Sequence, residues 1–292
     1  MSAHPRLSLN QATIKRATLA EALEAAAAAG IDSIGLWREP VAALGLDESG
    51  RRVGDSGLRV SSLCRGGFFT ALHGERRTAA IDDNRRAIDE TAALVAAGAA
   101  GSAAVLVLVA GGLPDGSRDL PGARERVRDA IGELEADAAA AGVTLAIEAL
   151  HPMYAADRAV VSTLGQAIDI AEQFGPSVGV VVDTFHVWWD PRLDEQLARA
   201  GRLGRIAGYQ VCDWITPLPA DLLLARGMMG NGHIDFGPIT RAVLAAGYAG
   251  DIEVEIFNQA VWDAPFAEVA ERTASAFGRF VAPFLGGPSA GA

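Results

Sequence analysis

The sequence predicts an α/β fold, a closed (βα)8 TIM barrel built as a single domain. Three observations lead there. Ala-rich helical runs end in Ala-Ala-Gly and feed an apolar strand: Gly30 before residues 31–37, Gly98 shortly before 103–109, Gly142 before 143–148, and Gly247 shortly before 252–255. Alanine is the best helix former, and glycine just past a helix supplies a left-handed cap. The stretch Gly179-Val-Val-Val-Asp183 is β-branched without polar alternation, the pattern of a strand buried on both faces. The third observation is the strand count, which comes to eight.

In chain order the strands fall at 7–12, 31–37, 58–64, 103–109, 143–148, 178–183, 205–211 and 252–256. Helices are expected at 16–29, 82–97, 123–141, 163–174, 193–200 and 238–246, with a closing helix over 264–284. Pro265 fits its first turn and Pro283 limits its end. Residues 40–57 are Gly-rich and weakly periodic, so a helix there is left open. No G-x-G-x-x-G follows the first strand, where Asn10-Gln11 stands instead, and this argues against a dinucleotide fold. No linker divides the chain. Residues 1–285 read as one barrel, and 286–292, composed of Gly, Pro, Ser and Ala, as a flexible tail.

Composition narrows the function. A net charge of −11 argues against nucleic acid, which needs clustered Lys and Arg. The pairs Arg51-Arg52 and Arg76-Arg77 are short and flanked by acids, so they read as solvated faces. No apolar run reaches the roughly 20 residues of a membrane span, and residues 1–10 lack a signal pattern. Cys64 and Cys212 are far apart and each ends an apolar run. They read as small core residues in a reducing, cytoplasmic setting.

Chemistry in such a barrel sits at the C-terminal ends of the strands. Strand five ends in Glu148 and strand six in Asp183; strand seven ends near Gln210, with Asp213 just beyond, and strand eight in Glu255. Adjacent parallel strands lie about 4.8 Å apart, so four such side chains can meet at one ion. Three facing carboxylates would repel and raise one another's pKa, a cost that a divalent cation removes. An oxygen-only donor set suits Mg2+, Mn2+ or Co2+. The alternative is a purely structural network of caps and ion pairs.

The phrases Glu148-Ala-Leu-His-Pro, Asp183-Thr-Phe-His186, Gln210-Val-Cys-Asp213 and Glu253-Val-Glu255-Ile-Phe occur in that order. Together with the Gly-rich run from Arg226 to Phe236, they resemble the xylose-isomerase-like TIM barrel superfamily. Within it the chain is similar to the sugar phosphate isomerase/epimerase group, which includes ketose 3-epimerases and inosose dehydratases. The resemblance implies Glu148, Asp183, Gln210 and Glu255 as metal ligands. It implies Glu148 and Glu255 as the acid–base pair, and His186 and Arg226 as contacts to substrate oxygens. Asp213 and His151 join the substrate side; a loop histidine or a hydrogen-bond donor behind the ligands is the other reading of His151. Two positions depart from the group: Gln210 stands where many members have His, and Tyr154 where ketose epimerases often carry a second Glu.

The activity implied is a metal-dependent isomerase or epimerase of a keto sugar or related polyol, acting through an enediolate. A dehydratase on a keto-cyclitol or keto sugar and a non-catalytic sugar-binding barrel are the alternatives. An apurinic endonuclease is disfavoured by five histidines and the acidic charge. The partner expected is a small carbohydrate, with no nucleic acid or membrane, and a homo-oligomer is left open. No phosphate-binding signature is evident, so an unphosphorylated sugar is at least as compatible as a sugar phosphate. Residues 111–119 read as a lid or an ordinary turn cluster.

Overall fold

A computed structural model describes residues 3–71 and 73–286. The tail expected at 286–292 therefore lies, but for Gly286, outside the described residues. Eight parallel strands close into a barrel: β1 Leu7–Asn10, β2 Ser33–Trp37, β3 Arg59–Gly67, β4 Val105–Val109, β5 Thr144–Glu148, β6 Val178–Asp183, β7 Ile206–Val211 and β8 Ile252–Val254. Each pairs with its sequence neighbours, and β8 returns to β1 with Ser8 opposite Glu253. The expected closed (βα)8 barrel is the fold observed.

The boundaries differ where side chains intervene. The first strand stops at Asn10 because its Oδ1 accepts the Ala12 N–H and starts a 3-10 turn over Gln11–Ile14. Residues 40–57, left open above, lie in two helices, Arg38–Leu44 and Leu46–Ser56, broken at Gly45 with φ 90. The second of these buries only Ser49 and Val53, so few apolar residues mark it in the sequence. Pro265 is the cap of the closing helix Phe266–Phe280 rather than a member of its first turn. Gly30, Gly142 and Gly247 take the left-handed conformation at φ 69, 68 and 90, whereas Gly98 caps its helix at φ −67. No helix among the described residues is long and apolar enough to cross a membrane.

The core has two parts. One lies between the helices and the outer barrel wall. The other fills the barrel interior with Ala12, Trp37, Cys64, Val105, Val107, Ala146, Val181 and Phe257. Both cysteines are free and buried, and burial pushes both thiols well up, as befits core residues. Beside the apolar interior lies a polar layer. Glu253 Oε2 accepts from Asn10 Nδ2 at 2.8 Å and from Gln210 Nε2 at 3.2 Å, and Asn10 Oδ1 accepts from Trp37 Nε1 at 2.8 Å. Buried polar groups persist only when hydrogen-bonded, and this layer meets that requirement for Glu253. Gly35 makes the room: a Cβ there would lie 2.6 Å from Glu253 Oε2 and 3.0 Å from Asn10 Nδ2. Gly35→Ala is expected to destabilise the fold by about 1–3 kcal/mol, read as a lower urea midpoint at unchanged m-value.

Candidate active site

The floor of the site is assembled from strand ends. Glu148 and Asp183 are the last residues of β5 and β6, and Gln210 lies opposite both Asp183 and Glu253 in register. Glu255 follows β8, its N–H still bonded to Val211 O at 3.3 Å. His186 sits in the single helical turn Thr184–Val187, which Asp183 caps by accepting the Phe185 N–H at 2.8 Å. Arg226 comes from a two-stranded ribbon in which Arg226–Gly227 pairs antiparallel with Asp213–Trp214. All six side chains are buried.

Arg226 ties the floor together. Its Nη1 donates to Asp183 Oδ2 at 2.8 Å and to Glu255 Oε2 at 2.9 Å. The rings of Phe185 and Phe257 lie 4.9 and 5.1 Å from its guanidinium carbon. Beside the divalent ion expected to offset the acidic charge, this chain supplies a buried guanidinium between two of the three carboxylates. The compensation is partial. Burial, followed by the charges of Glu255 and Asp183, holds the Glu148 carboxyl well above its ordinary range, and Arg226 only partly opposes this. Burial likewise pushes Glu255 up to about 7, against the pull of Arg226.

His186 has an N–H donor at each ring nitrogen: Nδ1 faces the backbone N–H of His151 at 3.0 Å and Nε2 faces Arg226 Nη2, and a neutral ring can accept from one of the two. Burial and Arg226 lower its pKa well below the usual value, which keeps the ring neutral. Nε2 lies 3.7 Å from Glu148 Oε1 and 2.9 Å from Arg226 Nη2. Ligand atoms of Glu148, Asp183 and His186 lie within 4.8 Å of one another, spacing that could hold a metal.

Oxygen donors for a cation are at hand. Glu148 Oε1 and Gln210 Oε1 are buried and have no hydrogen-bond partner. Because Gln210 commits its Nε2 to Glu253, the oxygen is its free end. Hard, unpartnered oxygens fit a divalent ion.

Two expected substrate contacts are placed differently. Asp213 accepts four backbone N–H groups, those of Trp214 and Ile234 at Oδ1 and of Gly230 and Gly232 at Oδ2. Its carboxylate is saturated as the anchor of the Gly-rich loop and does not line the cleft, which corrects its assignment to the substrate side. His151 acts through its backbone N–H on His186, while its ring packs against Trp189 and Trp214. Tyr154, at the position of the missing Glu, packs edge-on to His186 at 5.9 Å. Residues 111–119 do not line the cleft; Gly111 O accepts from Val160 N, tying the loop's start to the segment after β5.

The floor opens into a cleft of about 900 Å³. Sequence reasoning missed several of its residues. Gln11 spends Oε1 on the Trp37 N–H and leaves Nε2 buried and free. Lys15, Arg65 and Arg158 also line the cleft. Scattered cations on separate loops carry no spacing signal that a single sequence could reveal.

An eight-stranded parallel barrel with acids, an amide and a histidine at its C-terminal rim defines a class before any relative is considered. The chain belongs to the Xylose isomerase-like TIM barrel family, whose sequence pattern it matches over residues 23–276. It is 29% identical over 135 residues to the L-ribulose 3-epimerase of Mesorhizobium japonicum. That match spans 46% of this chain and 41% of the relative, so it covers less than half of the curated relative's length. Among solved structures, protein SMc04130 of Sinorhizobium meliloti 1021 is 50% identical, with a TM-score of 0.89 over 94% of this chain and 98% of that one. IolI protein, solved with a bound zinc atom, shares the fold at 21% identity and a TM-score of 0.81, over 97% of this chain and 100% of that one.

Replacing Arg226 by Met would leave Asp183 and Glu255 buried without their cation. Loss of about 3–5 kcal/mol of stability is expected by chemical denaturation in chelator. Added Mn2+ should recover part of the loss.

Proposed function

We propose that the protein is a divalent-metal-dependent isomerase or epimerase of a keto sugar or related polyol, working through an enediolate. One observation carries the reading. Two buried carboxyls, Glu148 and Glu255, share a cleft floor with a neutral His186 and with a fixed guanidinium. Raised carboxyls of this kind suit proton transfer near neutral pH. The curated relative's name, L-ribulose 3-epimerase, supports the same class of chemistry.

Glu148, Asp183, Gln210 and Glu255 would hold the ion. The orphaned Glu148 and Gln210 oxygens support that choice, and Mn2+, Mg2+ or Co2+ suits the donors. When bound, such an ion supplies Lewis-acid polarisation of a ketone and its neighbouring hydroxyl. The chain's own groups do the rest. Glu255, with Arg226 beside it, is the more readily ionised carboxyl and takes the proton from the carbon next to the carbonyl. Glu148 returns a proton to the opposite face. His186 and the guanidinium of Arg226 meet the charge developing on the enediolate oxygens. Expulsion of a β-hydroxyl from the same enediolate would make the protein a dehydratase, and Tyr154 in place of the second Glu keeps that reading alongside.

Incubation with ketoses in deuterated buffer and Mn2+ tests the proposal. Carbon-bound deuterium should appear with the wild-type protein, and Glu148→Gln and Glu255→Gln should each slow its appearance by about 10²–10⁴-fold. Exchange that persists in both variants would remove the assignment; loss of water with an enone absorbance would select the dehydratase.

A pH dependence follows as well. The folded-state value of Glu255, about 7, lies above its ordinary 4.5. The folded chelated protein thus binds the proton more tightly than the unfolded chain. Stability should be full below about pH 4.5 on account of this group and fall as pH rises through about 7. Thermal melts from pH 5 to 8.5 in EDTA, repeated with Mn2+, should show the fall and its reversal.

A further inference from the structure

Six cations line the cleft: Lys15, Arg16, Arg52, Arg65, Arg158 and Arg226. Most cations that line the cleft have an acidic partner: Arg16 pairs with Asp263 at 2.5 Å, Arg52 with Glu48 at 2.8 Å, and Arg158 loosely with Asp157 at 3.7 Å. Arg226 is held by Asp183 and Glu255. Lys15 and Arg65 make no ion pair among the described residues.

These two heads rest on a single aromatic wall. Lys15 Nζ lies 5.0 Å from the Trp262 ring and 5.7 Å from Phe257, and the Arg65 guanidinium carbon lies 5.4 Å from Trp37. Phe257 joins the two sides, 5.6 Å from Trp37 and 5.8 Å from Trp262. Aromatic faces hold a cation in place without neutralising it, leaving its N–H groups for another partner. Of the acids that line the cleft, Glu39 pairs with neither, and Glu255 feels the charge of Arg65 without an ion pair to it. An ammonium and a guanidinium set in this way are matched to an oxyanion, with the planar fork giving direction and the ammonium adding charge.

We propose that the substrate carries an oxyanion, a carboxylate or a phosphate, that Lys15 and Arg65 grip while the reacting carbons lie at Glu148 and Glu255. The enzyme then acts on a keto-sugar acid or keto-sugar phosphate. This rests on the reading of the cleft floor given above, but only for where the rest of the substrate lies.

Calorimetric titration of the Mn2+-loaded protein with three matched probes tests it: erythritol, erythronate and erythritol 4-phosphate. At least one anion should bind ten or more times more tightly than erythritol, with an affinity that falls as salt rises; which anion wins separates carboxylate from phosphate. Lys15→Met with Arg65→Met should abolish the anion's advantage and leave erythritol unchanged, with Arg65→Lys partly restoring it. Matched melting temperatures and circular dichroism would show that the variants fold. Equal binding of the three probes overturns the proposal. So does an anion preference that survives in the double variant and vanishes with EDTA, because the ion at the floor would then be its source. Each of those results leaves deuterium exchange from neutral ketoses intact, whereas failure of the floor chemistry removes exchange and spares anion binding.

Discussion

Three carboxyl groups converge where the barrel is driest, and the surrounding structure is arranged to tolerate them. Glu148, Asp183 and Glu255 are each at most 5% exposed. Charges so placed repel one another in a medium that screens poorly. Arg226 meets two of them through one nitrogen, and the phenyl faces of Phe185 and Phe257 hold the guanidinium. The ribbon that carries Arg226 pairs with Asp213–Trp214, and the loop beyond it is anchored by the saturated Asp213 carboxylate. A long chain of structural features thus serves to aim one side chain.

The compensation is incomplete, and the shortfall supplies the chemistry. Even with Arg226 between Asp183 and Glu255, Glu148 and Glu255 remain displaced upward, and Glu148 and Gln210 each keep an unpartnered oxygen. An environment that fully satisfied these groups would leave them inert. Behind them, Glu253 is satisfied by Asn10 and Gln210, so the polar layer one step deeper is structural. The same glutamine therefore faces both ways, its nitrogen toward the fixed layer and its oxygen left free.

Most of the architecture was legible in the sequence because βα repeats write themselves locally. The helix–Gly–strand phrase and the valine run at 180–182 reflect burial on both faces, which needs no distant information. The helix Leu46–Ser56 was not legible because so little of it touches the core. At the site, the acids at strand ends were visible, since a charge after an apolar run stands out. Their partners were not. Arg226 looks from its sequence like a substrate contact, and only packing shows it holding Asp183 and Glu255. Asp213 looks like a rim acid, yet four N–H groups converge on it. Glu253 was quoted in the motif but passed over, because strand alternation places both it and Glu255 inward at different depths.

What the sequence by itself determined was the barrel, the single domain and the order in which acidic strand ends come round the rim. These depend on local periodicity and on the rule that neighbouring βα units lie side by side. The tertiary structure alone decided which charges are paired, which groups stand at the two nitrogens of His186, and which cations are left facing the cleft. Those are properties of atoms a few ångströms apart that come from residues scores of positions distant. Electrostatic energy depends on that separation and on burial, neither of which is written in the order of the residues.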